Sequence, residues 1–244
     1  MSRADRLVPE ESSLLCEGCG YVLDGLPADG NCPECGLPME RGVAVRRPPR
    51  WEAERAVGAG RIVLFLQTTI AVIFKPTKFF RSLATRSDEG AARRFGMIHW
   101  LIASVLFAVA ARLHVNWYLS LGLMEWRISQ GGFVILTVAT FGFLWLTTHL
   151  AAWLTAWEAC YRGLRLSPRV VRRGLYYHAA HYLPVALMAA ITVGGFVLLS
   201  RMRPFLLTWS SVYLYTLCAE VIVAAAYLFN TYWIGMRNMM YANR

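Results

Sequence analysis

From Phe95 onward the chain sets long apolar runs between short, arginine-bearing breaks. Phe95–Ala111 carries no formal charge and is followed by Arg112 and the aromatic pair Trp117-Tyr118. Ile128–Trp157 is free of formal charge over thirty residues, Gly174–Ser200 likewise over its whole length, and Pro204–Met236 is interrupted only by Glu220. A helix that crosses a bilayer needs about twenty mainly apolar residues. The pattern therefore predicts four spans, at about 95–119, 132–157, 175–200 and 207–235. Glu220 would cut the last run into two halves of sixteen residues, each too short to cross, so one long tilted helix with an internal glutamate is the simpler solution.

Upstream the pattern changes. Residues 1–13 are polar and lack the apolar stretch of a secretory signal. Residues 38–60 read as a linker, because Arg46-Arg47-Pro48-Pro49-Arg50 resists helix and Gly58-Ala59-Gly60 ends the segment. Ile62–Phe74 is apolar but short for a span. Within the region 61–94, Arg61–Leu83 is expected to lie as an interfacial amphipathic helix broken near Pro76. There Lys75, Lys78 and Arg81 would bind headgroups, while Phe79, Phe80 and Leu83 insert. A fifth span over 62–74 is the alternative. Further on, Ser167-Pro168 reads as a helix start, Pro184 as a kink and Gly194-Gly195 as a point of close packing or bending.

Charge sharpens the division. Hydrophobic residues make up 57% of the 244 residues, too many for a soluble domain, and the formal net charge is +10. Of fifteen acidic residues only Glu125, Glu158 and Glu220 follow Met97. Arginine is dense before the first span and again in the 158–173 loop, and sparse in the other connections. The positive-inside rule then places both termini and that loop in the cytoplasm, with the chain integral to the cytoplasmic membrane. Trp100, Trp117, Trp126, Trp157 and Trp209 fall near the span ends, as an aromatic belt would. Cys160 and Cys218 read as small buried hydrophobes.

The sharpest chemical signal is Cys16-Glu-Gly-Cys19 and Cys32-Pro-Glu-Cys35, separated by twelve residues. Four thiolates in two such turns can close a tetrahedral site around one structural Zn²⁺. Gly20 and Gly36, after each pair, suit a sharply bending chain. Two disulfides in a small secreted module are the alternative, and a reducing cytoplasm argues against them. From Leu7 to Glu40 there is no lysine or arginine but seven acidic residues, so this ribbon, residues 14–37, has no surface for nucleic acid. It suits a protein contact, one candidate surface being the chain's own 158–173 loop.

Among intramembrane polar groups, Glu220 is the leading candidate for function, with His149 as a possible partner, against a neutral glutamate hydrogen-bonded to a neighbouring helix. His178 and His181, three apart, with Glu158 across the loop, make an interfacial metal site conceivable; amphipathic anchoring is the plainer role. No nucleophile–base pair, nucleotide loop or paired catalytic carboxylate stands out, so no catalytic residue is assigned and the enzyme class is not favoured.

Two resemblances follow from these residues. Cys-x-x-Cys-Gly-Tyr-x-Leu-x-Gly-Leu…Cys-Pro-x-Cys-Gly, over Cys16–Gly36, resembles the N-terminal zinc ribbon of many bacterial membrane proteins. The knuckles are also similar to those of rubredoxin, but Gly20–Asn31 supplies one aromatic residue, Tyr21, so electron transfer is not expected. Lys75-Pro76-x-x-Phe79-Phe80-x-x-Leu83 and the tyrosine-rich Leu175–Pro184 give a fainter likeness to the Yip-domain family over Ile62–Ile234. That likeness implies five spans and a membrane adaptor without enzymatic residues. The sequence thus leads to a mainly α protein: a four-helix transmembrane bundle with an N-terminal β-type zinc ribbon. Its expected partners are the lipid bilayer and another protein, in a non-enzymatic adaptor or membrane-organising role. The alternative is a small transporter component coupling protons or cations through Glu220 and His149.

Overall fold

In the computed structural model the described residues are 13–42, 49–53, 58–83, 89–120, 128–164, 166–202 and 210–241. Two short helices, α1 (Met39–Gly42) and α2 (Arg50–Ala53), precede α3 (Ala59–Phe74) and α4 (Pro76–Ser82). The long helices are α5 (Glu89–Ser120), α6 (Gln130–Arg162) and α9 (Ser210–Met239). Between the last two come α7 (Pro168–His178) and α8 (Tyr182–Met202), joined by a 3-10 turn over Ala179–His181.

Four stretches are long and apolar enough to cross a membrane: Glu89–Leu119, Gln130–Arg162, Pro168–Met202 and Ser211–Met239. They match in number and order the four spans expected from the sequence; the first three start earlier than expected, and the fourth begins at Ser211 rather than 207 and runs on to Met239. The mainly helical, multi-span class is as expected. The ribbon's β character among the described residues amounts to two isolated antiparallel bridges, Leu15 with Val22 and Asn31 with Pro38. On α6 and α9, Ile135, Val138, Phe143, Val221, Ile222 and Phe229 are each more than 60% exposed, a surface suited to lipid rather than water.

Ser167 and Pro168 open α7 as anticipated, with the Ser167 hydroxyl accepting from the Val170 N–H at 3.4 Å. The irregular turn falls one turn ahead of Pro184 for a steric reason. A proline ring clashes with the carbonyl four residues earlier and offers it no N–H, and here that residue is Ala180, inside the 3-10 turn. A proline likewise starts α4. The chain breaks at Lys75, and α3 and α4 meet at 114°. At about 1.5 Å per residue, the sixteen residues of α3 reach only about 24 Å, short of a hydrocarbon core about 30 Å thick.

The described chain falls into two compact units. One comprises residues up to Gly96, Thr148–His178 and Thr231 onward; the other comprises Met97–Thr147 and Ala179–Asn230. The first therefore gathers the N-terminal cysteines, the 158–173 segment and the C-terminal end. Its aromatic core links Trp51, Phe65 and Phe95, with Phe95 and Phe79 each packing on Tyr177. In the second unit Trp117, Val193, Val197 and Tyr213 are buried together, with Phe196 stacked on Tyr213 at 4.1 Å.

Several expectations are corrected here. Phe79, Phe80 and Leu83 are buried inside the protein rather than free to insert: Phe80 packs on Gly235 and Phe79 on Tyr177. Trp100 and Trp117 are core residues, not belt residues; Trp157 is exposed, and Trp126 and Trp209 lie outside the described residues. Cys160 and Cys218 are exposed rather than buried, on faces whose surroundings are apolar enough to suit a thiol. A Cβ on Gly195 would meet open space and one on Gly194 only an ordinary contact, so close packing is not sited there.

It is sited at Gly96. A Cβ at this position would lie 3.1 Å from the carbonyl oxygen and 3.3 Å from the Cα of Tyr176, so α5 and α7 touch backbone to backbone. Backbone atoms cannot swing aside as a side-chain end can. Gly96→Ala is accordingly expected to destabilise the chain by about 1–3 kcal/mol, despite alanine's better helix propensity. Thermal unfolding in detergent micelles measures this, and an unchanged or raised midpoint would show that the helices separate freely.

Candidate metal centre

The ribbon is built twice, on a sixteen-residue offset. Cys16 N–H donates to the Tyr21 carbonyl and Cys32 N–H to that of Leu37, both at 2.8 Å. Gly20 N–H donates to Cys16 O and Gly36 N–H to Cys32 O. Leu23 N–H returns to Leu14 O, as Met39 N–H does to Gly30 O. Each knuckle is thus a minimal hairpin, closed by a glycine with positive φ, +84° at Gly20 and +70° at Gly36, which side chains disfavour. Backbone N–H groups of Gly18 and Cys19 point at the Cys16 sulfur, and those of Glu34 and Cys35 at the Cys32 sulfur. Such amides stabilise thiolate charge.

The two knuckles interleave their sulfurs. Cys16 Sγ lies 3.6 Å from Cys35 Sγ, and Cys19 Sγ 3.6 Å from Cys32 Sγ. All four fall within 4.8 Å of one another. Metal–sulfur bonds of about 2.3 Å in a tetrahedron require sulfur separations of about 3.8 Å. The cysteines are positioned to hold one metal ion, and four thiolates at this spacing suit zinc or iron. Among the described residues this is the one group of three or more His, Cys, Asp or Glu side chains placed for a metal. Without an ion the sulfurs differ. The Cys35 N–H, ahead of other donors, holds Cys32 down to about 7, while burial raises the Cys16 and Cys19 thiols. An ion must therefore displace protons.

Leu23 and Met39 complete a small buried core with Cys16 and Cys32, and Leu14, Leu26 and Leu37 pack against it. The surface is acidic, with Asp24, Asp29, Glu34 and Glu40 exposed. The first knuckle carries two exposed apolar side chains, Tyr21 and Val22. Its Gly20 lies beneath the ring of Tyr241: a Cβ there would come within 2.6 Å of Tyr241 Cε1. A contact from the ribbon to the C-terminal end is thus in place within this unit.

The stretch read as a linker supplies a second attachment, which sequence reasoning missed. Trp51 is buried, donating its indole N–H to Ala91 O at 2.8 Å, and Arg61 stacks over its ring. Next to it, Glu52 accepts from Arg173 Nη2 at 2.7 Å and from Nε at 3.1 Å, and from the Tyr177 hydroxyl. Both charged side chains are almost completely enclosed, 4% exposed for Arg173 and 3% for Glu52. A tryptophan-glutamate pair between prolines and arginines was the available signal. Residues 50–53 are therefore anchored rather than a free linker.

The remaining candidates are dispersed. His149 faces the Tyr176 hydroxyl at 3.4 Å, whereas Glu220 accepts from the Thr192 hydroxyl at 3.2 Å, so each has its own partner. His178 Nε2 lies 3.0 Å from the Thr231 hydroxyl, His181 Nδ1 2.7 Å from the Tyr227 hydroxyl, and Glu158 pairs with Arg162. Among the described residues these three are not grouped for a metal, and each has its own separate partner. Lys75, Lys78 and Arg81 are exposed around the α3–α4 break.

Comparison with family models, with curated proteins and with solved structures finds no match to this chain. The likeness to the Yip-domain family and to bacterial ribbon-bearing membrane proteins therefore gains no support, and the argument for function rests on the geometry.

Proposed function

We propose that this chain is an integral membrane adaptor, or membrane-organising protein, whose zinc ribbon makes a protein contact on the cytoplasmic side. The four-sulfur cage carries the reading: it is closed by its own ligands, with no open position for substrate, which is the arrangement of a structural rather than a catalytic ion. Zinc is favoured over iron because the ribbon has little aromatic shielding beyond exposed Tyr21. The ribbon, the described end of α9 and the arginine-bearing 158–173 segment belong to one compact unit, which fits a common cytoplasmic face under the positive-inside rule. The acidic ribbon with Tyr21 and Val22 at its surface suits a partner that offers cationic side chains around an apolar spot.

Affinity purification from membranes tests this. The full chain should retain a partner that Tyr21→Ser/Val22→Ser loses by tenfold or more, a range typical for removing the apolar centre of a contact, roughly 1–2 kcal/mol. An identical set of partners after deletion of residues 1–45 would refute the adaptor reading.

A further inference from the structure

The Glu89–Arg172 ion pair joins the first turn of α5 to the second turn of α7, and the cluster around it carries more positive charge than it neutralises. Arg172 donates to the Glu89 carboxylate through Nε at 2.8 Å and through Nη2 at 3.3 Å. Arg93 follows Glu89 by four residues on α5, and Arg169 precedes Arg172 by three on α7. Those spacings put each on the same helical face as its neighbour in the ion pair. Both guanidinium groups also lie within Coulombic reach of the Glu89 carboxylate, and both residues are exposed. Three guanidinium groups thus gather about one carboxylate. The first turns of two helices add partial positive charge from their unpaired N–H groups.

We propose that Arg93, Arg169 and Arg172 form a binding site for the phosphate headgroup of an anionic phospholipid. Guanidinium forks match phosphate oxygens in paired hydrogen bonds, and Glu89 holds Arg172 in a fixed orientation for that role. Lipid is the source favoured over free phosphate because both helices run on from this cluster into stretches apolar enough to cross a bilayer. A headgroup at their polar ends leaves its acyl chains beside those stretches. The site shares no residue with the Lys75, Lys78 and Arg81 patch and does not depend on the ribbon's role.

Native mass spectrometry of the full chain, released from vesicles of equal phosphatidylglycerol and phosphatidylcholine, tests the proposal. The wild type should retain phosphatidylglycerol preferentially. Arg93→Gln/Arg169→Gln should reduce that preference by about thirtyfold, about fivefold per arginine removed. Arg93→Lys/Arg169→Lys should restore part of it. Arg201→Gln/Arg237→Gln, which removes the same charge from exposed positions elsewhere, should leave it in place. Equal loss in that control would show a general surface potential and overturn the site. So would unchanged retention in the glutamine variant, no preference in the wild type, or full displacement by millimolar inorganic phosphate, which would mark a phosphate site instead.

Discussion

Glu52→Ala is expected to destabilise the full chain by about 3–5 kcal/mol, lowering the midpoint of thermal unfolding by roughly 6–20 °C. The reason is asymmetric. Arg173 is 4% exposed and donates to the Glu52 carboxylate, so truncating the acid leaves an enclosed guanidinium beside a cavity and removes the acceptor that the Tyr177 hydroxyl has in Glu52. Arg173→Met should cost a similar amount by stranding the carboxylate. Glu52→Leu/Arg173→Met should recover most of the loss, because two apolar side chains of similar volume avoid desolvating any charge. Trp51, adjacent to Glu52, gives a local readout: its release should shift the fluorescence to the red and open residues 50–53 to protease. If Glu52→Ala melts with the wild type and stays protease-resistant there, the pair is solvated and residues 50–53 are not an anchor.

The second large effect concerns the cysteines. Cys16→Ser, or the equivalent Cys32→Ser on the sixteen-residue repeat, should abolish metal binding and unfold residues 14–39 while leaving the long helices intact. The ribbon's buried core cluster amounts to Leu23, Met39, Cys16 and Cys32. So small a core cannot offset the entropy of ordering the chain without a cross-link. Structural zinc supplies an apparent 10–16 kcal/mol, roughly, in comparable modules. The helices draw on other contacts, such as Phe95 with Tyr177 and Phe196 with Tyr213. Helix content by circular dichroism should therefore stay close to that of the wild type, while proteolysis concentrates in the ribbon. Metal retained after either substitution, or collapse of the whole helical content, would each refute this division.

Much of this was readable from residues alone where one physical constraint acts locally. Charge-free runs had to become membrane-length helices because lipid leaves the backbone no other way to pair. Cys16, Cys19, Cys32 and Cys35 had to converge if they were to share an ion, and the model brings their sulfurs together. The destinations of individual side chains were less readable. Phe79, Phe80 and Leu83 look the same in sequence whether a helix face meets lipid or Gly235, and only the tertiary partner decides. Trp100 and Trp117 near span ends suggested a belt, yet helical rotation turns them inward. Glu52 was hidden because its partner, Arg173, lies 121 residues away in a segment already explained by orientation. The break at Lys75 was visible through Pro76, but not the angle between the helices. Likewise, spacing alone set His178 and His181 together, yet each meets a different hydroxyl group, that of Thr231 and that of Tyr227.

The metal content of the purified, full-length chain bears most directly on the central claim, that a thiolate-bound ion shapes the ribbon. Elemental analysis with intact-mass measurement should find one zinc for each chain and four reduced cysteines in the ribbon. Absence of any metal, with Cys16, Cys19, Cys32 and Cys35 joined in disulfides, would contradict it.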